Sequence, residues 1–89
     1  MAKRFDPTFF SADRRYSIGN DLKTGGHYLA IPVSNGLVEY NEEYWLTQGQ
    51  YEEFMSDRAA AVRFVEGCRA RQCDDQLIYV PSDNRGHPL

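Results

Sequence analysis

An Asn35-Gly36 pair stands between two runs of strand-forming residues, and no other feature limits so sharply what this chain can fold into. That dipeptide tolerates the positive φ angles of a tight reversal, so the flanking runs are expected to fold back as a β-hairpin. Before the turn, His27 to Val33 alternates in character, which places Leu29, Ile31 and Val33 on a core side. Pro32 cannot donate to a ladder and implies a sheet edge or a bulge there. Leu37 to Tyr40 is the returning strand, and Tyr44-Trp45-Leu46 reads as a third strand after an Asn41-Glu42-Glu43 turn.

Helix signals follow. Thr47 is suited to accept a free N–H of a first helical turn, and Gln50 three residues on completes a capping box. A helix over 48–56 is expected, with Tyr51, Phe54 and Met55 inward and Glu52 and Glu53 in water. Ser56 or Asp57 caps a second helix over 58–71, where Ala61, Phe64, Val65 and Cys68 recur at the spacing of one buried stripe. Arg69 and Arg71 near its end complement the helix dipole. Leu77 to Val80 reads as a last strand, stopped by Pro81. Residues 1–24 show no clean period and are expected to be irregular, and 82–89 to be a polar tail.

Eighty-nine residues suffice for a single domain over 1–89 and not for two. The fold class expected is α+β: an antiparallel sheet, made of the hairpin meander and the C-terminal strand, with two helices on one face. Its core is expected to hold Leu29, Ile31, Val33, Phe54, Phe64, Val65, Cys68, Leu77 and Ile78.

Charge is distributed unevenly under a net value of -3. Glu39, Glu42, Glu43, Glu52, Glu53 and Asp57 fall between positions 39 and 57 with no lysine or arginine among them. Tyr40, Tyr44, Trp45, Tyr51 and Phe54 are interleaved with them. One reading puts the acids on wet faces and the rings in the core. The other makes the block a binding face, where acid attracts a basic partner and Tyr44 and Trp45 anchor it. The negative total disfavours direct binding to nucleic acid or an anionic membrane, and no apolar run reaches the roughly 18 residues of a membrane span. No apolar signal segment follows Lys3-Arg4, so a cytoplasmic protein is expected. Cys68 and Cys73 suit a reducing compartment.

Catalytic chemistry finds few residues. His27 and His87 are the only side chains that titrate near neutrality without perturbation, and a small nuclease could use them as acid and base. His27 reads better as a hairpin-end residue and His87 lies three positions from the end. The cysteines and histidines lack zinc-site spacing, Asp74-Asp75 with Asp83 lacks a calcium loop, and Gly25-Gly26 lacks the lysine of a phosphate loop. No catalytic, metal or cofactor site is expected.

The run from Gly25 to Tyr40, continued by Glu43-Tyr44-Trp45-Leu46-Thr47 into Tyr51-Glu52-Glu53-Phe54, resembles small immunity proteins of bacterial polymorphic toxin systems, in particular contact-dependent growth inhibition. The resemblance implies a single-domain, non-enzymatic, cytoplasmic inhibitor that binds the toxin domain encoded beside it, monomeric when free and heterodimeric with the toxin. Many such toxins are nucleases, whose basic clefts an acidic inhibitor could cover. The expected contacts are then Glu39, Glu42, Glu43, Tyr44, Trp45, Glu52, Glu53 and Asp57. A nucleic-acid mimic acting on a basic host protein, a small nuclease and a homodimeric module are the competing readings.

Overall fold

The computed structural model describes residues 3–81 and 85–89. Strands β1 (Phe5–Ser11), β2 (Tyr16–Asp21), β3 (Gly26–Ser34) and β4 (Glu39–Leu46) form an antiparallel meander in sequence order. Helices α1 (Gln48–Ser56) and α2 (Arg58–Arg69) follow, then a short 3-10 turn at Asp74–Gln76 and a two-residue strand, β5 (His87–Pro88). This is the α+β domain expected, with a five-stranded sheet and two helices.

The helices share one face of the sheet. Ile18, Leu29, Ile31, Val33, Tyr44 and Leu46 form one buried cluster with Phe54, Ala60, Ala61, Val65 and Cys68. Ile18 pairs with Leu29 and Leu29 with Tyr44, so one side-chain row crosses three strands beneath the helices. The α2 stripe is buried as expected at Ala61, Val65 and Cys68, with Phe64 only partly covered. Leu77 and Ile78 are likewise half-buried.

Both helix starts carry the expected caps. The Thr47 hydroxyl accepts the Gln50 N–H at 3.0 Å while the Gln50 side chain accepts the Thr47 N–H at 2.9 Å. Asp57 accepts N–H groups of Ala59 and Ala60 at 3.0 and 3.2 Å.

Several expectations need correction. Residues 1–24 are not irregular: Phe5–Ser11 and Tyr16–Asp21 pair as a hairpin. A register shift between Pro7 and Phe9 destroys the alternation that would have disclosed β1, and Asp21 puts a charge at a buried position of β2. The third strand is not separate, because Asn41-Glu42-Glu43 is extended and 39–46 is one strand. The hairpin loop is therefore Asn35–Val38, with Asn35 Oδ1 accepting the N–H groups of Leu37 and Val38, both at 3.0 Å, and Gly36 at φ +90°. The run 77–80 is no strand beyond a bridge from Leu77 to Tyr44, and the strand that adds to the sheet is β5. Of the expected polar tail, 82–84 lies outside the described residues, while Gly86 is buried against the hairpin.

Pro32 sits in a central strand rather than at an edge or bulge. β2 pairs with β3 only as far as Ala30, so the side of Pro32 that lacks a donor faces the space past the end of β2. Its carbonyl is used there by the Leu89 N–H at 3.1 Å.

Gly19 shows how closely β1 lies on β2. A Cβ there would come within 2.2 Å of the Asp6 carbonyl oxygen and 2.7 Å of Pro7 Cα, both backbone atoms that cannot rotate away. Gly19→Ala is expected to cost about 1–3 kcal/mol by overpacking. In a denaturant melt it should lower the midpoint, with the loss of protection from hydrogen exchange concentrated in 5–11.

Candidate functional site

The opposite face of the sheet has no helix upon it. Residues that alternate with the core row point there: Ser17, Gly19 and Asp21 from β2, Tyr28, Ala30 and Pro32 from β3, and Glu39, Asn41, Glu43 and Trp45 from β4. Phe5 packs on Tyr28 at a tilt, with ring centres 4.8 Å apart, and Tyr79 meets Phe5 edge-on at 6.4 Å. Tyr79 arrives because the chain leaves β4 after Leu77 and crosses to this face, which is why a strand-forming run makes no strand.

Arg4 organises the cluster. Its guanidinium grips the fully buried Asp21 carboxylate through Nε and Nη2, each at 3.0 Å, and donates to the Tyr79 hydroxyl at 2.8 Å. The same group lies 5.0 Å from the Phe5 ring centre, 5.2 Å from Tyr79 and 6.0 Å from Trp45. The Arg4 hydrogen bonds hold the Asp21 carboxyl below the ordinary carboxylate range despite its burial.

Glu43 borders this cluster beside Ala30 and has no cationic side chain within ion-pair distance among the described residues. Burial pushes its carboxyl up to about 7, with the Arg4 charge opposing and the Glu42 charge adding to the rise. A hollow of about 280 Å³ opens between Glu43, Tyr79 and Val80. Farther along the face, a groove of about 410 Å³ runs past Phe10, Ser17, Pro32, Glu39 and Asn41. Phe10 is 69% exposed and Val80 94%, so the border of this face is apolar as well as acidic.

The expected contact residues are thus not all on one surface. Glu39, Glu43 and Trp45 lie on the open sheet face, with Trp45 half-buried. Glu52 and Glu53 are exposed on α1, in the other layer. Asp57 is engaged at the α2 N-terminus. Glu42 and Tyr44 have the opposite parity and point inward, at 6% and 0% exposure, so neither offers a contact surface in this fold.

Glu42 is instead the hub of a C-terminal clamp. Arg71 Nη1 approaches it at 2.6 Å, Arg85 Nε at 2.7 Å, and the Tyr44 hydroxyl donates to it at 3.1 Å. Arg85 also pairs with Asp74 at 2.7 Å, and Arg71 donates to the Gly86 carbonyl. Arg71 reaches its place from a left-handed backbone, φ 63°, just past the end of α2, where glycine is the common residue.

The two histidines are far apart. His27 stacks on Tyr51 at 3.8 Å, with its ring nitrogens engaged by the Asn20 and Gln48 amides at 2.9 and 2.8 Å. His87 pairs with Ser34, at the other end of β3, and seven residues of strand span about 23 Å. They cannot share one substrate bond. Both cysteines are free thiols, and burial pushes the Cys68 thiol up, away from reactivity. Among the described residues no group of three or more histidine, cysteine or acidic side chains is placed to hold a metal ion, and no helix is long and apolar enough to cross a membrane.

Sequence reasoning missed Arg4, Phe5, Phe10 and Tyr79. The charge block drew attention to positions 39–57, whereas these residues reach the same face from the N-terminal hairpin and the crossing loop. No protein-family model, curated protein or solved structure matches the chain.

Proposed function

We propose that this protein is a non-enzymatic, cytoplasmic immunity protein that binds and neutralises a cognate toxin domain, a nuclease with a basic surface, using the open face of its sheet. The observation that carries the reading is the pairing on that face of an aromatic cluster with Glu43, a carboxylate with no ion-pair partner among the described residues. A partner lysine or arginine placed there supplies the missing charge, while Trp45, Tyr79 and Phe10 supply contact area. Glu39 extends the acid along β4 and assists steering.

Glu52 and Glu53 contribute at long range only, since they project from the helix layer. The competing reading as a two-histidine nuclease gains no support from His27 and His87, which sit at opposite ends of β3. The nucleic-acid mimic shares its physics with the immunity reading and differs in the partner that is bound.

The test is co-purification with the toxin domain encoded beside it, followed by affinity measured across pH. Glu43 must be ionised to meet a cation, and its carboxyl titrates near about 7 in the free protein. Binding therefore releases a proton, and affinity should rise several-fold between pH 6 and pH 8. In Glu43→Gln that rise should be lost. A pH-independent wild-type affinity, or a Glu43→Gln variant with the wild-type profile, would remove Glu43 from the interface.

A further inference from the structure

A second surface lies on the helix side, where the β1–β2 turn meets the first turns of α2. There Phe9, Tyr16 and Val62 floor a pocket of about 550 Å³ rimmed by Arg14, Arg58 and Arg63. Phe9 and Tyr16 pack with ring centres 5.7 Å apart. The Arg58 guanidinium lies 3.6 Å from the Phe9 ring centre and donates to the Phe54 and Met55 carbonyls at 3.5 and 3.3 Å. It is held in place before any ligand arrives. Arg14 is presented by a turn in which its own N–H is bonded to Ser11 Oγ at 3.2 Å.

The ion pairs of the described residues use Lys3, Arg4, Arg71 and Arg85, and none involves Arg14, Arg58 or Arg63. That is unexpected in a chain with a net charge of -3, where acids outnumber bases. The nearest acids by sequence are Asp13, exposed in the turn, Asp57, already bonded to the Ala59 and Ala60 N–H groups, and Glu66, exposed one turn after Arg63 on α2 and not paired with it. Asp57 already takes the Ala59 and Ala60 N–H groups at the α2 terminus, so the positive character of the pocket comes from the guanidiniums.

We infer that this pocket binds a small phosphate-bearing ligand with a planar ring, of the nucleoside monophosphate class. Guanidinium forks match the spacing of phosphate oxygens, and Arg14 and Arg63 are free to supply them. Three positive groups exceed the one and a half to two charges of a phosphate monoester at neutral pH. The planar Arg58 group, seated on Phe9, offers a surface on which a ring can stack, and the volume matches that of a small-molecule site. The negative total of the chain opposes a long polyanion but not a single phosphate.

The experiment is a calorimetric titration of the full chain with adenosine 5′-monophosphate, inorganic phosphate, adenosine and a short 5′-phosphorylated RNA. Saturable binding of the monophosphate is expected with Kd below about 1 mM. Phosphate and adenosine alone should each bind at least about tenfold more weakly, because each fills half of the site. An Arg14→Ala/Arg63→Ala variant should lose at least about tenfold with an unchanged melting temperature, since both side chains are exposed. RNA binding more tightly than the monophosphate, with the same arginine dependence, assigns the phosphate to a chain end rather than a free nucleotide. Absence of saturable binding by the monophosphate, or binding unaffected by the double substitution, overturns the inference. Neither result bears on toxin binding, which uses the other face.

Discussion

Tyr44→Ala is expected to lose about 3–5 kcal/mol of stability, the range for removing a large buried ring. The residue is 0% exposed, lies in the row with Leu29 and Ile18, and meets Phe64 edge-on at 6.5 Å. A domain of this length has a total of roughly 4–13 kcal/mol, so the variant is expected to be marginally folded or unfolded at 37 °C. Tyr44→Phe keeps the ring and loses only the hydroxyl bond to Glu42, at a cost of about 1 kcal/mol. Urea melts of the two variants separate the contributions of ring and hydroxyl. A Tyr44→Ala loss under about 1 kcal/mol would mean that the ring is not central, as surface changes rarely exceed that. Phe64→Ala, at a partly covered position, should cost less than Tyr44→Ala.

Glu42→Ala is the second large effect, expected at roughly 3 kcal/mol because it leaves two arginines facing each other without their shared anion. Arg71 and Arg85 are 26% and 19% exposed as side chains, which lets water relieve part of the penalty and sets the expectation at the low end for a broken pair. The C-terminal segment should be released, since Arg85 and the Gly86 carbonyl hold it to Glu42 and Arg71. Protease cleavage after 81 should therefore quicken in the variant. Burial alone would raise the Glu42 carboxyl, but hydrogen bonds from Arg85 and Tyr44 and the Arg71 charge hold it below the usual value. Asp74 is lowered chiefly by its Arg85 hydrogen bond and Asp21 by Arg4. All three bind protons less tightly folded than unfolded. Their stabilisation is present above the unfolded value of about 4 and is lost as pH falls through their lower folded values. An acid titration of stability in Glu42→Gln should show a shallower fall below pH 4 than wild type, and an equal slope would show that Glu42 carries no net charge linkage.

The same residues explain what could be read in advance. Helix caps at Thr47 and Asp57 and the Ala61-Val65-Cys68 stripe are local signals, needing only neighbours in sequence, and they hold in the fold. Strand Gly26–Ser34 was legible because its run of strand-forming residues leads straight into the Asn35-Gly36 turn. Buried charges hid the rest: Glu42 sits in the core row, where a strand pattern calls for an apolar residue, Asp21 is buried on the open face, and their partners Arg71, Arg85 and Arg4 are distant in sequence. A buried ion pair turns a strand signal into a turn signal, which is why 41–43 read as a loop. Of the candidate site, Glu39, Glu43 and Trp45 were identified together, while the parity that sends Glu42 and Tyr44 inward depends on a continuous β4. Tyr79 could not be placed without knowing that the chain crosses the sheet, and the arginine pocket joins a turn to a helix more than forty residues away.

Two charge reversals set against each other test most directly whether the sheet face, and not the helix layer, meets the proposed basic partner. At pH 8, where Glu43 is mostly ionised, Glu39→Lys/Glu43→Lys alters the open face and Glu52→Lys/Glu53→Lys alters α1, with nearly equal change in net charge. Association and dissociation with the proposed partner, a toxin domain encoded beside this protein, are measured at about 50 and 300 mM salt, where screening of exposed charges differs strongly. The sheet reversal should slow association at low salt by at least about tenfold and weaken its salt dependence, and the helix reversal should change it by less than about threefold. Trp45→Ala, if folded by circular dichroism, should speed dissociation by the equivalent of about 2 kcal/mol. A helix reversal as damaging as the sheet reversal, or a sheet reversal that binds and protects cells like wild type, would place the interface elsewhere.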